Sequence, residues 1–326
     1  MQTVMTHHDQ AQTGAVAFDL STFGKLSLTG KDRAAFLQNF TTNDVVKPGV
    51  GSGCEAFLTT AQARIVAWLR IAIRENDLYL SMEPGLVAKV ISHLEKFVIG
   101  EDVQFTDRTD LDFLWLMTGG ALFNKIPGPT EWMPWQNGSV EWGASNLTMQ
   151  RCDFVGLPGI FVWGTREQSH QATETLAEWS IPLLSADDPL WNVLRVEAGT
   201  PAYDIDLDET MLPQEANRTE QAISFTKGCY IGQETVARIR AYGHVNRQLI
   251  RLKLDGETGN EAAWCGATLK ANDKEVGKLK TVAYSPKLQA LAAFGLVRKE
   301  YLTSEMVLQA FSPDGQLRQA SVVATI

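Results

Sequence analysis

The chain has 326 residues, of which 44% are apolar and 21% charged, the balance of a water-soluble globular protein with two or three compact units. A net charge of −9 with no basic block excludes affinity for a nucleic-acid backbone as a main property. No apolar run approaches the roughly 20 residues that span a bilayer, and no cationic start leads into an apolar core, so a cytoplasmic address is expected.

The start, "MQTVMTHHDQAQTGAVAFDL", is polar and is expected to be a flexible terminus, with His7 and His8 outside any metal site. Residues 15 to 29 alternate around Phe18, Leu26 and Leu28, which predicts a hairpin. "KDRAAFLQNF" reads as a short helix stopped by the polar run Thr41-Thr42-Asn43-Asp44. Strands around a turn follow over 56–82, with Leu69, Ile71 and Ile73 spaced by two. The next helix places Pro84 in its first turn and makes one stripe of Leu86, Val87, Val90, Ile91, Leu94, Phe97 and Val98. Strands are expected near 111–118 and 158–163, then a polar helix opened by Thr165. Between those strands, the Pro-, Gly- and Trp-rich run over 127–143 predicts a loop pinned by buried indoles. From residue 247 short strands alternate with turn residues, including Asp314-Gly315, and predict a small antiparallel barrel or sandwich. The expected fold class is α+β, with a body over 1–245 and an all-β C-terminal domain over 246–326.

Between Asp187 and Leu249 the residue choices turn unusual. A helix is expected from Asp188-Pro189 to Gly199 with an apolar face of Leu190, Val193 and Leu194. One more step along that face lands on Glu197. Either Glu197 reaches water at the helix end, or it lines an internal pocket and offers two acceptor oxygens to a ligand with neighbouring N–H donors. Asp204, Asp206 and Asp208 alternate along a segment expected to be extended and solvated on one side. That segment lacks the glycine and glutamate of a calcium loop, and no metal site is expected.

Four cysteines, Cys54, Cys152, Cys229 and Cys265, are scattered without a C-x-x-C pair, and three are expected to be core residues. Cys229 lies in "KGCYIGQE", just before an expected helix and close to Lys227. Gly228 allows a tight entry there. Helix N–H groups and the ammonium would favour thiolate at Cys229, against the alternative of an inert buried thiol. Glu234 and Arg238, four apart, suit a surface ion pair.

"KGCYIGQE" with Arg238 behind it, "RVEAGTPAYDIDLDETMLPQEAN" and "FLQNFTTNDV" (with Asn39 at a place usually held by glycine) resemble the YgfZ family. That family lies within the superfamily of the glycine-cleavage T-protein, an aminomethyltransferase. The resemblance implies three small domains in a ring, the third a C-terminal antiparallel β-barrel, with tetrahydrofolate in the central hole. It implies that Glu197 faces the pterin, that Tyr203 and Arg238 line the site, and that Cys229 is a functional thiol. It further implies a role in iron–sulphur cluster assembly or repair. The partners it implies are iron–sulphur proteins such as tRNA-modifying enzymes, with no direct nucleic-acid contact, no membrane, and a monomeric chain. T-proteins carry two adjacent aspartates where Ala67 and Trp68 stand here, which removes the obvious proton-transfer group and speaks against standard aminomethyl transfer. The alternatives are a folate-dependent aminomethyltransferase or demethylase using other residues, and an adaptor that kept the fold without the ligand.

Overall fold

Two patterns in the sequence, short alternating strands and a few amphipathic helices, assemble into three β-structures that share one apolar core. The computed structural model describes residues 2–126, 130–143, 145–243, 245–256, 259–302 and 307–323. In chain order come α1 (Gln2–Thr13), β1 (Val16–Asp19), β2 (Gly24–Thr29), α2 (Arg33–Gln38), β3 (Ser52–Thr59), β4 (Ile65–Ile73), β5 (Leu78–Met82) and α3 (Val87–Glu95). Then follow β6 (Gln104–Asp107), β7 (Asp112–Thr118), α4 (Leu122–Lys125), β8 (Asn137–Trp142), β9 (Ser145–Cys152), β10 (Gly159–Thr165), α5 (Ser169–Glu178) and β11 (Leu183–Ser185). The chemistry-rich segment carries α6 (Pro189–Ala198), α7 (Thr219–Ala222) and α8 (Gln233–Tyr242). Last come β12 (Arg247–Leu254), β13 (Thr268–Ala271), β14 (Lys274–Ser285), β15 (Ala290–Arg298), β16 (Val307–Phe311) and β17 (Leu317–Val322).

The strands form a five-stranded sheet in the order β3-β4-β5-β2-β6, a six-stranded sheet in the order β11-β1-β7-β10-β9-β8, and a closed barrel β12-β15-β14-β13-β16-β17. The α+β class and the C-terminal antiparallel barrel expected from the sequence are both present. The barrel interior packs Leu252, Leu254, Leu269 and Leu291. Its outward Leu249, Ala283, Ala292 and Phe294 join a larger core with Trp191 of α6, Trp68 of β4 and Phe161 of β10. β4 is buried at all nine positions because neighbours cover both its faces.

Several local expectations are corrected. β1 and β2 are not a hairpin: β1 pairs with β7 and β11, β2 with β5 and β6. Alternation fixes which side chains share a face but not which sheet a strand enters. The polar N-terminus is helical rather than flexible, because Ala11 and His8 are buried against the body. Pro84 precedes α3, and Gly85 at φ +80° turns the chain into it. The tryptophan-rich run contains β8, which pairs with β9 from Asn137 opposite Gln150 to Trp142 opposite Ser145. Residues 127–129 of that run lie outside the described residues. Trp142 is buried as expected.

Candidate functional site

The capping residues seen in the sequence build α6. Asp188 Oδ1 accepts from the Leu190 N–H at 2.9 Å, Pro189 occupies the first turn, and Gly199 at φ +77° ends the helix. Leu190, Val193, Leu194 and Val196 are buried, so the helix stands with its last turn inside the molecule. The Glu197 side chain is 7% exposed. Its Oε2 accepts from His8 Nε2 at 3.0 Å and its Oε1 from Ser285 Oγ at 2.5 Å. Its backbone carbonyl accepts from Arg251. Glu197 therefore sits where α1, α6 and the end of β14 meet, and each carboxylate oxygen already holds one donor. His7, the other half of the His-His pair, lies 3.3 Å from Asp188 at the opposite end of α6.

The aspartate segment is a turn, not an extended edge. Asp204 has φ +64°, and Asp206 is fully buried. Asp206 Oδ2 accepts from Arg195 at 2.9 Å and from the Ala202 N–H at 2.8 Å. Its Oδ1 accepts from Thr281 Oγ1 at 2.6 Å and the Thr281 N–H at 3.1 Å. One carboxylate thus ties α6, the turn after it and barrel strand β14 together, and holds the helix turn that presents Glu197. Its alternation with Asp204 and Asp208 misled because local spacing does not report a partner 75 residues away in β14. Among the described residues no group of His, Cys, Asp and Glu is placed to hold a metal.

Tyr203, 2% exposed, donates its hydroxyl to the Ile65 carbonyl at 3.1 Å and lies 3.4 Å from Lys89 Nζ. Burial pushes its phenol up. Arg238 and Glu234 are both exposed on α8, and among the described residues no ion pair joins them.

In "KGCYIGQE" the lysine does unexpected work. Lys227 is buried, and its Nζ donates to the carbonyls of Gln38 at 2.7 Å, Thr41 at 2.6 Å and Asn43 at 2.8 Å. All three of its N–H groups are thus committed to the chain leaving α2. Burial pulls the ammonium down to about 8, while the three carbonyls favour its protonated form. Replacing Lys227 by methionine strands those carbonyls and is expected to cost about 1–3 kcal/mol, read as a lowered melting temperature. The glycine needed for its left-handed φ is Gly232 at +89°, not Gly228; a Cβ there would stand 2.7 Å from the Thr60 carbonyl. Thr59 Oγ1 donates to the Ile231 carbonyl and the Ile231 N–H donates to Asn39, fixing the loop on β3 and α2. Cys229 is exposed on that loop, four residues before the first residue of α8. Cys54 and Cys152 are buried, and burial raises each thiol to about 12. Cys265 is exposed, contrary to the core position expected for it.

The hydrogen-bond partners of Glu197 come from α1, β14 and Arg251, whereas those of the Cys229 loop come from α2, β3 and the residues between them. Sequence reasoning missed His8, Ser285, Arg195 and Asp206 as the groups that position the carboxylate. Arg195 carried the one usable signal, a cation on the buried stripe of α6 that required a partner. At the two positions compared with the T-protein aspartates, Ala67 and Trp68 are fully buried, and the Trp68 indole stacks against Phe154 and Phe57 with ring centroids 5.5 and 6.4 Å away. The guanidinium of Arg70, paired with Glu83 at 3.0 Å, lies 5.5 Å from the same indole. Arg218, held by both oxygens of Glu55, lies 5.3 Å from it.

The GCVT N-terminal domain family matches residues 1–227, more than half of the chain. The chain belongs to the GCVT family. The resemblance read from its motif segments is thereby borne out. Among relatives, a putative chloroplastic transferase of Arabidopsis thaliana is 28% identical over 309 residues, covering 90% of this chain and 67% of the relative. The tRNA-modifying protein YgfZ of Colwellia psychrerythraea is 26% identical over 250 residues, covering 72% and 70%. An aminomethyltransferase of Caldanaerobacter subterraneus is 22% identical over 330 residues, covering 92% and 81%. The glycine cleavage system aminomethyltransferase T of Bartonella henselae superposes with a TM-score of 0.85 at 18% identity over 98% of this chain and 88% of that one, a likeness of fold. No helix among the described residues is long and apolar enough to cross a membrane.

Proposed function

We propose that this GCVT-family chain binds a reduced folate, tetrahydrofolate, at Glu197 and acts as an accessory protein in tRNA modification. One observation carries the reading: a carboxylate, nearly closed to water, accepts two donors side by side at the end of a rigidly clamped helix. A pterin ring presents two neighbouring N–H donors and makes the same demand, so binding would exchange hydrogen bond for hydrogen bond in place of His8 and Ser285. The two acceptor oxygens of Glu197 fit the paired donors of the group, with His8 of α1 and Ser285 of β14 turning aside. When bound, tetrahydrofolate would supply an acceptor for a one-carbon unit. Tyr203 and Arg238 are proposed to line the site, and Cys229 to serve as the working thiol. The relatives named as tRNA-modifying proteins support this role, with iron–sulphur proteins as the proposed clients and a cytoplasmic monomer as the working form.

A second reading, a folate-dependent aminomethyltransferase or demethylase, is favoured by the aminomethyltransferase relative and weighed against by the packed Trp68. Turnover of an aminomethyl or N-methyl donor with tetrahydrofolate would select it. Calorimetry with tetrahydrofolate tests the shared premise, since absence of heat and of thermal stabilisation would leave only the adaptor. Cys229→Ala should abolish complementation of cluster-dependent tRNA methylthiolation with an unchanged melting temperature, because the side chain is exposed. Full complementation would remove the thiol from the proposal.

A further inference from the structure

Between the β3–β4 turn, one face of α3 and the Glu209–Thr210 loop lies a cavity of about 670 Å³. Lys89, His93 and Lys96 stand on that face at i, i+4 and i+7, opposite the buried Val87, Val90 and Leu94. Arg64 adds a fourth basic side chain from the turn, and Glu209 is the one acid among the lining residues. A helix face that merely meets water gains from interleaved charges of both signs. This face gathers one sign against a concave wall, in a chain whose net charge is −9. Burial lowers the pKa of His93, a backbone hydrogen bond at Thr59 works against that shift, and the charges of Lys96 and Lys89 add to the lowering. Lys89 is bridged to Glu209 at 2.9 Å and Arg64 donates to the Thr210 carbonyl, but His93 Nε2 is buried without a hydrogen-bond partner. At a rise of 1.5 Å per residue, the row from Lys89 to Lys96 spans about 10 Å, room for two or three anionic groups in sequence.

We propose that this groove binds an oligo-anion, a short chain bearing carboxylates or phosphates at successive positions. Two sources share that chemistry. One is the γ-linked oligoglutamate tail of a folate, which rests on the folate reading; the contact of Lys89 with Tyr203 places the groove beside the segment that follows Glu197. The other is a polyphosphate, which does not rest on that reading.

The test is calorimetric titration of the full chain at low salt with two probes that carry no pterin, tri-γ-glutamate and inorganic triphosphate. Each probe is titrated into the wild type, Lys96→Glu, and Lys274→Glu as an exposed control on the barrel with the same change of charge. Saturable binding of at least one probe is expected, weakened about tenfold or more by Lys96→Glu, unaffected by Lys274→Glu, and reduced by added salt. Binding of tri-γ-glutamate alone assigns the folate tail, triphosphate alone assigns a phosphate ligand, and both support a general oligo-anion site. No binding, or equal losses in the two variants, overturns the proposal. Because neither probe engages Glu197, failure here is separable from failure of folate recognition.

Discussion

Replacing Asp206 by alanine is expected to destabilise the folded chain by about 3–5 kcal/mol, the cost of breaking a buried ion pair from one side. The magnitude follows from what is left behind. Arg195 is 1% exposed and would keep its charge with the Thr200 carbonyl, Asn192 Oδ1 and Thr281 Oγ1 as its remaining partners, none of them charged, while the Ala202 and Thr281 N–H groups lose their acceptor. Replacing both Arg195 and Asp206 by apolar residues of similar volume should cost much less, since the stranded charge goes with its partner. Equilibrium denaturation by urea checks both variants. A loss below about 1 kcal/mol for the single substitution would show that water reaches Arg195 and that the clamp is not what holds α6 on the barrel.

Glu197→Ala is expected to weaken tetrahydrofolate binding by about 1.5–3 kcal/mol, the range for hydrogen bonds to a charged acceptor. Calorimetry reads this as a rise in Kd of roughly 10- to 150-fold. The partner substitution works in the other direction. His8→Ala removes the donor that holds Oε2 in the free protein, so less must be displaced and binding should tighten. Wild-type affinity in Glu197→Ala would place the ligand elsewhere. Weaker binding in His8→Ala would instead make the histidine a support of the carboxylate. The two measurements together thus decide whether α1 competes with the ligand or helps to aim its acceptor.

Trp68 bears on the kind of chemistry available near these groups. An indole stacked against two phenyl rings and flanked by two buried guanidiniums offers packing and cation–π attraction, but no acceptor for a proton. This part of the five-stranded sheet is organised for stability.

What the sequence alone determined is local. Asp188, Pro189 and Gly199 mark both ends of α6, and the apolar step of three and four carries Glu197 onto its inner face, because caps and periodicity act within one or two turns. The strand-and-turn rhythm after residue 247 announces the barrel for the same reason, and the motif segments around Glu197 and Cys229 announce the family. Only the tertiary structure decided the rest. His8 meets Glu197 across 189 positions, Lys227 caps the exit of α2 across as many, Asp206 is buried where spacing suggested solvent, and β1 and β2 part into different sheets. A buried polar group goes where partners can satisfy it, and those partners are supplied by chain folding back from far away, which no local pattern encodes.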